Sequence, residues 1–498
     1  MGIPSYFKRL TDTVKGLLVS EIKGATLLLD FNCIVYGCLR SETLTPFNGE
    51  DSWESLLNEE VCKYVVKIWD AAGKPKMVHI AVDGVVPMAK IKQQRMRRFK
   101  SIWWTEKEYQ MGVKKRDVPR WDTNAITPGT LYMEKLGLRL KQMCASRSGW
   151  TVSTSDEPGE GEHKVMELLR TKPVEGPVII YGLDADLILL SMLTAAKHLG
   201  DTPVYLMREK AEFGKTSAAP FLFLSVNHLM STLCSNPLEN KYVFILDYIA
   251  VMSILGNDFL PHGLTLKIRD GGHDALLELL RGFHKSGKRF VVDGKICRET
   301  FRELFCLLAE SEEAELEAAI FRKKNTRPMK PRNDTERLMQ PVQGLPVEWF
   351  VERQFLDRGR VSADWLDIYR EHAPVSAISY YIYGLQWIID YYRGETVNKM
   401  WFYPWHLPPT WTDLSVASET PFTEPLKEDP IKPQEQLAIV LPMESWHLVR
   451  DKKLRNAPVA LPQFWPQKFG FISHGKTWMW ECEADIPILL VDRVRSLA

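Results

Sequence analysis

The chain has 498 residues, 45% hydrophobic and 26% charged, with a formal net charge of +1. That length can bury a large core in one domain or two, and the near-neutral balance excludes naming a partner from net charge alone. No apolar run approaches the roughly 18 residues of a membrane span, and eight cysteines without any C-x-x-C spacing exclude a zinc ribbon and point to a reduced, intracellular protein.

The opening stretch MGIPSYFKRL lacks a secretory apolar segment. Three apolar runs then share one feature: ATLLLD ends at Asp30, MVHIAVD at Asp83 and PVIIYGLD at Asp184. Segments of helical period lie between them, such as WESLLNEEVCKYVVKIWDAAGK. Strands alternating with helices predict an α/β fold with a mostly parallel, doubly wound sheet and helices on both faces. In such sheets ligands sit at the carboxyl ends of the strands, where these aspartates fall. Each could be a turn or capping residue, but that explanation has to hold three times.

After Asp83 comes PMAKIKQQRMRRFKSIWW, a helix with Pro87 suited to its first turn. At 100° per residue Lys90, Gln94, Arg97 and Arg98 form one stripe, while Lys92, Arg95 and Lys100 make the helix basic nearly all round. A solvated surface helix explains this pattern too. Next, PGEGEHKVMELLR predicts a helix starting near Glu160, with Glu160 and Glu162 in its first turn, where the helix dipole favours acids. YGLDADLILL sets Asp184 and Asp186 two residues apart within apolar sequence. Two carboxylates about 4 Å apart repel by roughly 4 kcal/mol at an effective dielectric of 20, a cost that asks for a cation. YVFILDYIAVMSILGNDFLPH reads as an apolar helix interrupted at Gly256, with Asp258 just beyond. Acid beside base at one rim suggests a site that handles metal ions and phosphate together.

The stretch RPMKPRNDTERLMQPVQG is polar, basic and holds three prolines; it predicts a linker or mobile loop over 326–345. Beyond it the chain turns heavily aromatic (SYYIYGLQWIIDYYRG, MWFYPWHLPPTW), a density more typical of core and interface packing than of a stacking platform. TEPLKEDPIKPQEQ predicts a surface loop over 423–436.

MGIPSYFKRL, LLLDFN, VDGVVPMAKIKQQRMRRFK, NAITPGT, PGEGEHKVM, YGLDADLILL and LGNDFLPH together resemble, in order, the Xrn-type 5′→3′ exoribonucleases of the PIN-like and flap-nuclease superfamily. LQWIIDYY, WFYPWHLPP, EQLAIVLP and IPILLVD extend the resemblance over essentially the whole chain. It implies a nuclease core over 1–325 and a second, mainly helical conserved region over 346–498 that completes the active-site pocket, in a compact form without the long C-terminal domains of some members. Carried over by position, the metal ligands would be Asp30, Asp83, Glu160, Glu162, Asp184, Asp186 and Asp258, holding two Mg²⁺ ions for which Mn²⁺ can substitute. Lys90 and Gln94 would meet the scissile and 5′-terminal phosphates, and Arg97 and Arg98 would complete a pocket for a 5′-monophosphate. The implied activity is processive hydrolysis of single-stranded, 5′-monophosphorylated RNA to nucleoside 5′-monophosphates, as in cytoplasmic mRNA decay after decapping, by a monomer without a membrane partner. Two positions depart from the family pattern: Tyr36 stands where a base-stacking histidine is usual, and Lys399 where its partner tryptophan is, leaving Trp401 as the next candidate. Alternatives on the same core are a flap-type 5′ DNA nuclease, against which the missing G-x-G-[IV]-G clamp speaks, and an inactive RNA-binding scaffold, against which the seven retained acids speak.

Overall fold

The structure, a computed structural model, describes residues 6–50, 52–210, 221–234, 240–417, 424 and 429–497. The first five residues of the MGIPSYFKRL motif and part of the 423–436 stretch lie outside them. Seven strands form the central sheet: β1 (Leu18–Val19), β2 (Thr26–Asp30), β3 (Met77–Ala81), β4 (Trp150–Ser153), β5 (Val178–Tyr181), β6 (Val204–Glu209) and β7 (Phe221–Ser225). Their order is β1-β7-β6-β5-β2-β3-β4. β2 to β6 pair in parallel, and β7 and β1 close one edge antiparallel. From β2 the chain first builds outward to β3 and β4, then returns to add β5 and β6 on the other side. The crevice between β2 and β5 is therefore the topological switch point, where doubly wound sheets bind ligands.

The strands are apolar on both faces, as a sheet covered on both sides requires. Leu28, Val178 and Ile180 point into one core, and Leu27, Leu29, Ile179 and Tyr181 into the other. The first core is shared across the chain: the helices Asp186–Thr194, Lys241–Met252 and Ala377–Arg393 all bury side chains in it. Much of the aromatic density of the second half is spent there, with Tyr381, Trp387, Tyr392, Trp401, Tyr403 and Trp411 all buried.

The stretch 326–345 holds two short helices, Asp334–Leu338 and Gln340–Gln343. The Asn333 side chain caps the first by accepting from the Glu336 N–H at 2.8 Å, and Met339 between them is 1% exposed. Within the stretch expected to be a loop, a helix begins at Pro433 and runs to Val440, because Pro433 supplies a first-turn proline and Glu435 accepts from the Lys432 N–H. No helix among the described residues is long and apolar enough to cross a membrane.

Candidate active site

Asp30 is the last residue of β2, and the parallel register sets it beside Ala81, two residues before Asp83. Between these carboxylates and the incoming helix Gly161–Thr171 there is room only for a glycine. The Gly161 N–H donates to Asp83 Oδ1 at 2.7 Å, and a Cβ there would lie 2.6 Å from the Ala81 carbonyl oxygen and 2.7 Å from Asp30 Oδ1. That close approach delivers Glu160, the residue capping the helix, and Glu162, in its first turn. Asp184 lies past β5 in the turn, exposed, and Asp186 opens the next helix, buried. One ligand atom each from Glu162, Asp184 and Asp186 lies within 4.8 Å of the others, and the same holds for Glu160, Glu162 and His163. Asp258 arrives from the far side, after the Lys241–Met252 helix breaks at Gly256, whose φ of +87° suits glycine.

The fold thus gathers the seven predicted acids at one rim, and the basic helix Met88–Gln110 enters among them. The buried Lys90 ammonium sits 2.6 Å from Glu160 Oε2 and 2.8 Å from Asp258 Oδ2. Burial first, then repulsion from Asp83, Asp184 and Asp186, pushes the Asp30 carboxyl well above the usual carboxylate range. Burial also drives Asp83 and Asp186 up to about 6, and raises Glu162. Asp258 is the exception: burial would raise it, but the Lys90 ammonium holds it well below the usual range. Among the described residues, Lys90 is the cation in direct contact with these carboxylates. Glu162 Oε2 and Asp186 Oδ1 are buried with no hydrogen-bond partner among the described residues. Two orphaned carboxylate oxygens on two helices fit a hard divalent cation, which takes oxygen ligands.

Further along the helix, Arg97 is exposed and Arg98 donates to Asn124 Oδ1 at 2.8 Å, with Asn124 tied in turn to Ser445 Oγ. Gln94 presents a buried Oε1 without a partner among the described residues. The rear of the helix differs from the all-round basic surface that the sequence suggests. Arg95 is fully buried and donates to the carbonyls of Ile439, Phe464 and Pro487; Lys92 donates to those of Tyr403 and Trp405, and Lys100 to those of Trp480 and Cys482. Backbone dipoles of the second half occupy this side, and Arg95, fully buried, serves assembly.

Tyr36 is 41% exposed, so its ring is not part of the core, and it lies close enough to Arg98 to act on it electrostatically. Trp401 corrects the expectation of a stacking ring. It is 0% exposed, packed against Trp387 at 5.1 Å between ring centroids and against Gly384, so no ring face is open to a base. Lys399 is exposed, and its carbonyl accepts from the Met88 N–H at the start of the basic helix.

Three residues escape the sequence reading. Gln93 donates to Asp258 Oδ1 at 3.2 Å, and its position one turn after Lys90 was the available signal. Asn124 sits in the NAITPGT string without an assigned role. Tyr391 donates to Glu160 Oε1 at 2.8 Å while its ring lies 3.9 Å from that of His163. Nothing local in LQWIIDYY marks that tyrosine.

Comparison with known proteins gives matches over nearly the whole chain. Residues 1–210 match the family model for the XRN 5′-3′ exonuclease N-terminus, and residues 241–344 and 345–497 match that for the Xrn1 helical domain. A human protein named 5′-3′ exoribonuclease 1 is 27% identical, the alignment covering 98% of this chain and 33% of that protein. The Schizosaccharomyces pombe protein of the same name is 25% identical over 100% of this chain and 48% of its own length. A Candida albicans 5′-3′ exoribonuclease 2 is 32% identical over 63% of this chain and 40% of its own. The chain spans a third to a half of the length of these relatives.

Proposed function

Because the chain belongs to the XRN 5′-3′ exonuclease family, we propose that it hydrolyses single-stranded, 5′-monophosphorylated RNA processively, one nucleotide at a time from the 5′ end. The observation that carries this reading is the basic helix rooted in the acidic cluster: Lys90 touches Glu160 and Asp258, and Arg97 and Arg98 follow two turns on. The RNA-handling relatives named above favour RNA over flap DNA as substrate.

The ligands would be Asp30, Asp83, Glu160, Glu162, Asp184, Asp186 and Asp258. Two Mg²⁺ ions held there would supply activation of the attacking water and stabilisation of the leaving oxygen. Lys90 and Gln94 bind the scissile and 5′-terminal phosphates, and Arg97 and Arg98 close on the 5′-monophosphate. Asn124 fixes the Arg98 guanidinium, so that its remaining donors stay aimed rather than mobile. In the reaction, a water oxygen bonds to the scissile phosphorus and the bond from phosphorus to the 3′-oxygen of the first nucleotide breaks. That oxygen takes up a proton, and the shortened RNA carries the new 5′-monophosphate. A closed pocket fitted to one phosphate would exclude a cap or a triphosphate.

The test is a Mg²⁺-dependent time course on RNAs differing only in the 5′ end, with a flapped DNA as a further arm. Monophosphorylated RNA should be degraded fastest, and Arg97→Ala should shrink its advantage over 5′-hydroxyl RNA by about tenfold, the weight of one charge-assisted contact. Equal slowing of both RNAs would reduce Arg97 to a general backbone contact, and a preference for the flap would replace RNA by DNA.

Tyr36 we assign to the first base. Base–aromatic stacking is worth about 1–3 kcal/mol and tolerates any base. Tyr36→Ala should therefore release RNA earlier, with shorter processive runs, while its melting temperature stays near that of the parent. Tyr36→Phe should keep both properties. Full-length runs by Tyr36→Ala would show that the base is held elsewhere.

A further inference from the structure

A cavity of about 490 Å³ opens beside Arg97. It shares Gln93, Arg97 and Asp258 with the acidic site and extends between the basic helix, the 255–269 segment and residues of the C-terminal part. Its walls carry Lys92, Arg97, Lys100, Lys267, Arg269 and Lys476. Against these stand the carboxylates of Asp258, Glu481 and Glu483, of which Glu481 is taken by Arg269 and Asp258 by Lys90. Lys92, Lys100, Lys267 and Lys476 form no ion pair among the described residues. They donate instead to neutral partners: Lys267 to the Gly475 carbonyl, Lys476 to His262 Nε2 at 2.7 Å, Lys92 and Lys100 to two carbonyls each. An ammonium has three donors, so each keeps at least one. Trp405 and Trp480 add aromatic surface, and Trp480, 40% exposed, marks where the cavity meets solvent.

The room is anion-seeking, aromatic and of a volume typical of small-ligand pockets, about 300–1,000 Å³. Those properties suit a mononucleotide. Burial, only partly offset by Glu483 for Lys92 and by Asp270 and Glu481 for Lys267, pushes both down to about 8, and a bound phosphate would offset more of that cost.

We propose that this cavity receives the nucleoside 5′-monophosphate released at the acidic site and holds it on its way to solvent. The proposal rests on the exonuclease reading above. After cleavage the first nucleotide still carries its 5′-phosphate at Arg97, while the new 5′-monophosphate of the shortened strand must occupy the same place. The spent nucleotide cannot leave past the strand that follows it. Arg97 belongs to both spaces, and the stripe continues through Gln93 and Lys100 into the cavity, so the phosphate passes from one set of cations to the next.

The test uses the whole chain and AMP as probe, in two measurements. Direct titration of AMP, followed by tryptophan fluorescence without RNA, should give about tenfold weaker binding in Lys267→Gln and Lys476→Gln. In the RNA assay, the inhibition constant of AMP should rise by the same factor while the KM for RNA moves less than about twofold. Should either glutamine variant fail to fold, the exposed Trp480→Leu serves, with the same expected loss of AMP affinity. Unchanged AMP affinity overturns the proposal. A rise in the KM for RNA with AMP binding intact also overturns it, placing the incoming strand in the cavity. If the parent chain binds AMP with the expected variant pattern but hydrolyses no RNA, the exonuclease reading fails and a mononucleotide site remains.

Discussion

Asp186→Asn is expected to lower RNA hydrolysis by roughly a thousandfold or more, about 4 kcal/mol of transition-state stabilisation, while raising the stability of the metal-free protein. Both effects come from one buried oxygen pair with an orphaned member. The stability effect has a definite pH sign. Burial pushes the folded-state value of Asp186 up to about 6, above its unfolded value of 3.8. A carboxyl raised in this way contributes stability below the unfolded value and loses it as pH rises through about 6. The metal-free parent should thus lose melting temperature between about pH 4 and 6 relative to Asp186→Asn, with the variant ahead at pH 7 by on the order of 1–3 kcal/mol. Mg²⁺ or Mn²⁺ should stabilise the parent by mass action and the variant less. Near-normal turnover in Asp186→Asn, or an equal metal-induced gain in both proteins, would remove this residue from the ligand set.

Arg95→Met should be the most damaging change away from the acidic cluster, costing about 3–5 kcal/mol, as expected when a buried charge network loses a member. Its guanidinium satisfies three carbonyls from Ile439, Phe464 and Pro487, which no other donor replaces once the side chain is apolar. Arg95→Lys should rescue little, since one ammonium cannot reproduce a planar fork aimed at three acceptors. Chemical denaturation of the two variants decides the matter: a loss under about 1 kcal/mol would mean that the three carbonyls find other partners. Arg97→Met, two residues on but exposed, is the control and should melt like the parent.

The sheet and the acidic cluster were legible because both are written locally. Strands buried on both faces must be apolar runs, and an aspartate ending such a run, as Asp30 does, has few places to go but the rim. The helix start at Glu160 was equally legible from Pro158, Gly159 and the acids after them. Where charges faced was not legible. The helical wheel sets Lys92, Arg95 and Lys100 off the Lys90–Arg97 stripe, and only carbonyls several hundred positions away show that these three pack against the second half. Trp401 failed for a similar reason. Its motif fixes its identity, but Gly384, Trp387 and Tyr383 fix its burial, and these lie on a helix that no local pattern places against it. Tyr391 and Gln93 were missed because each acts on a carboxylate contributed by another element.

The core shared between the sheet and the Ala377–Arg393 helix has a consequence for how the molecule comes into being. A ribosome that has released the sheet has made six of the seven acids, but neither Asp258 nor Tyr391, and only part of what covers Leu28, Ile180 and Leu187 in the shared core. The basic helix waits longer still, since the acceptors of Arg95 end at Pro487. An unfinished chain is therefore sticky before it is destructive, a species for chaperones to shield. The packing of the basic helix against its carbonyl partners is deferred until the chain has been made as far as Pro487.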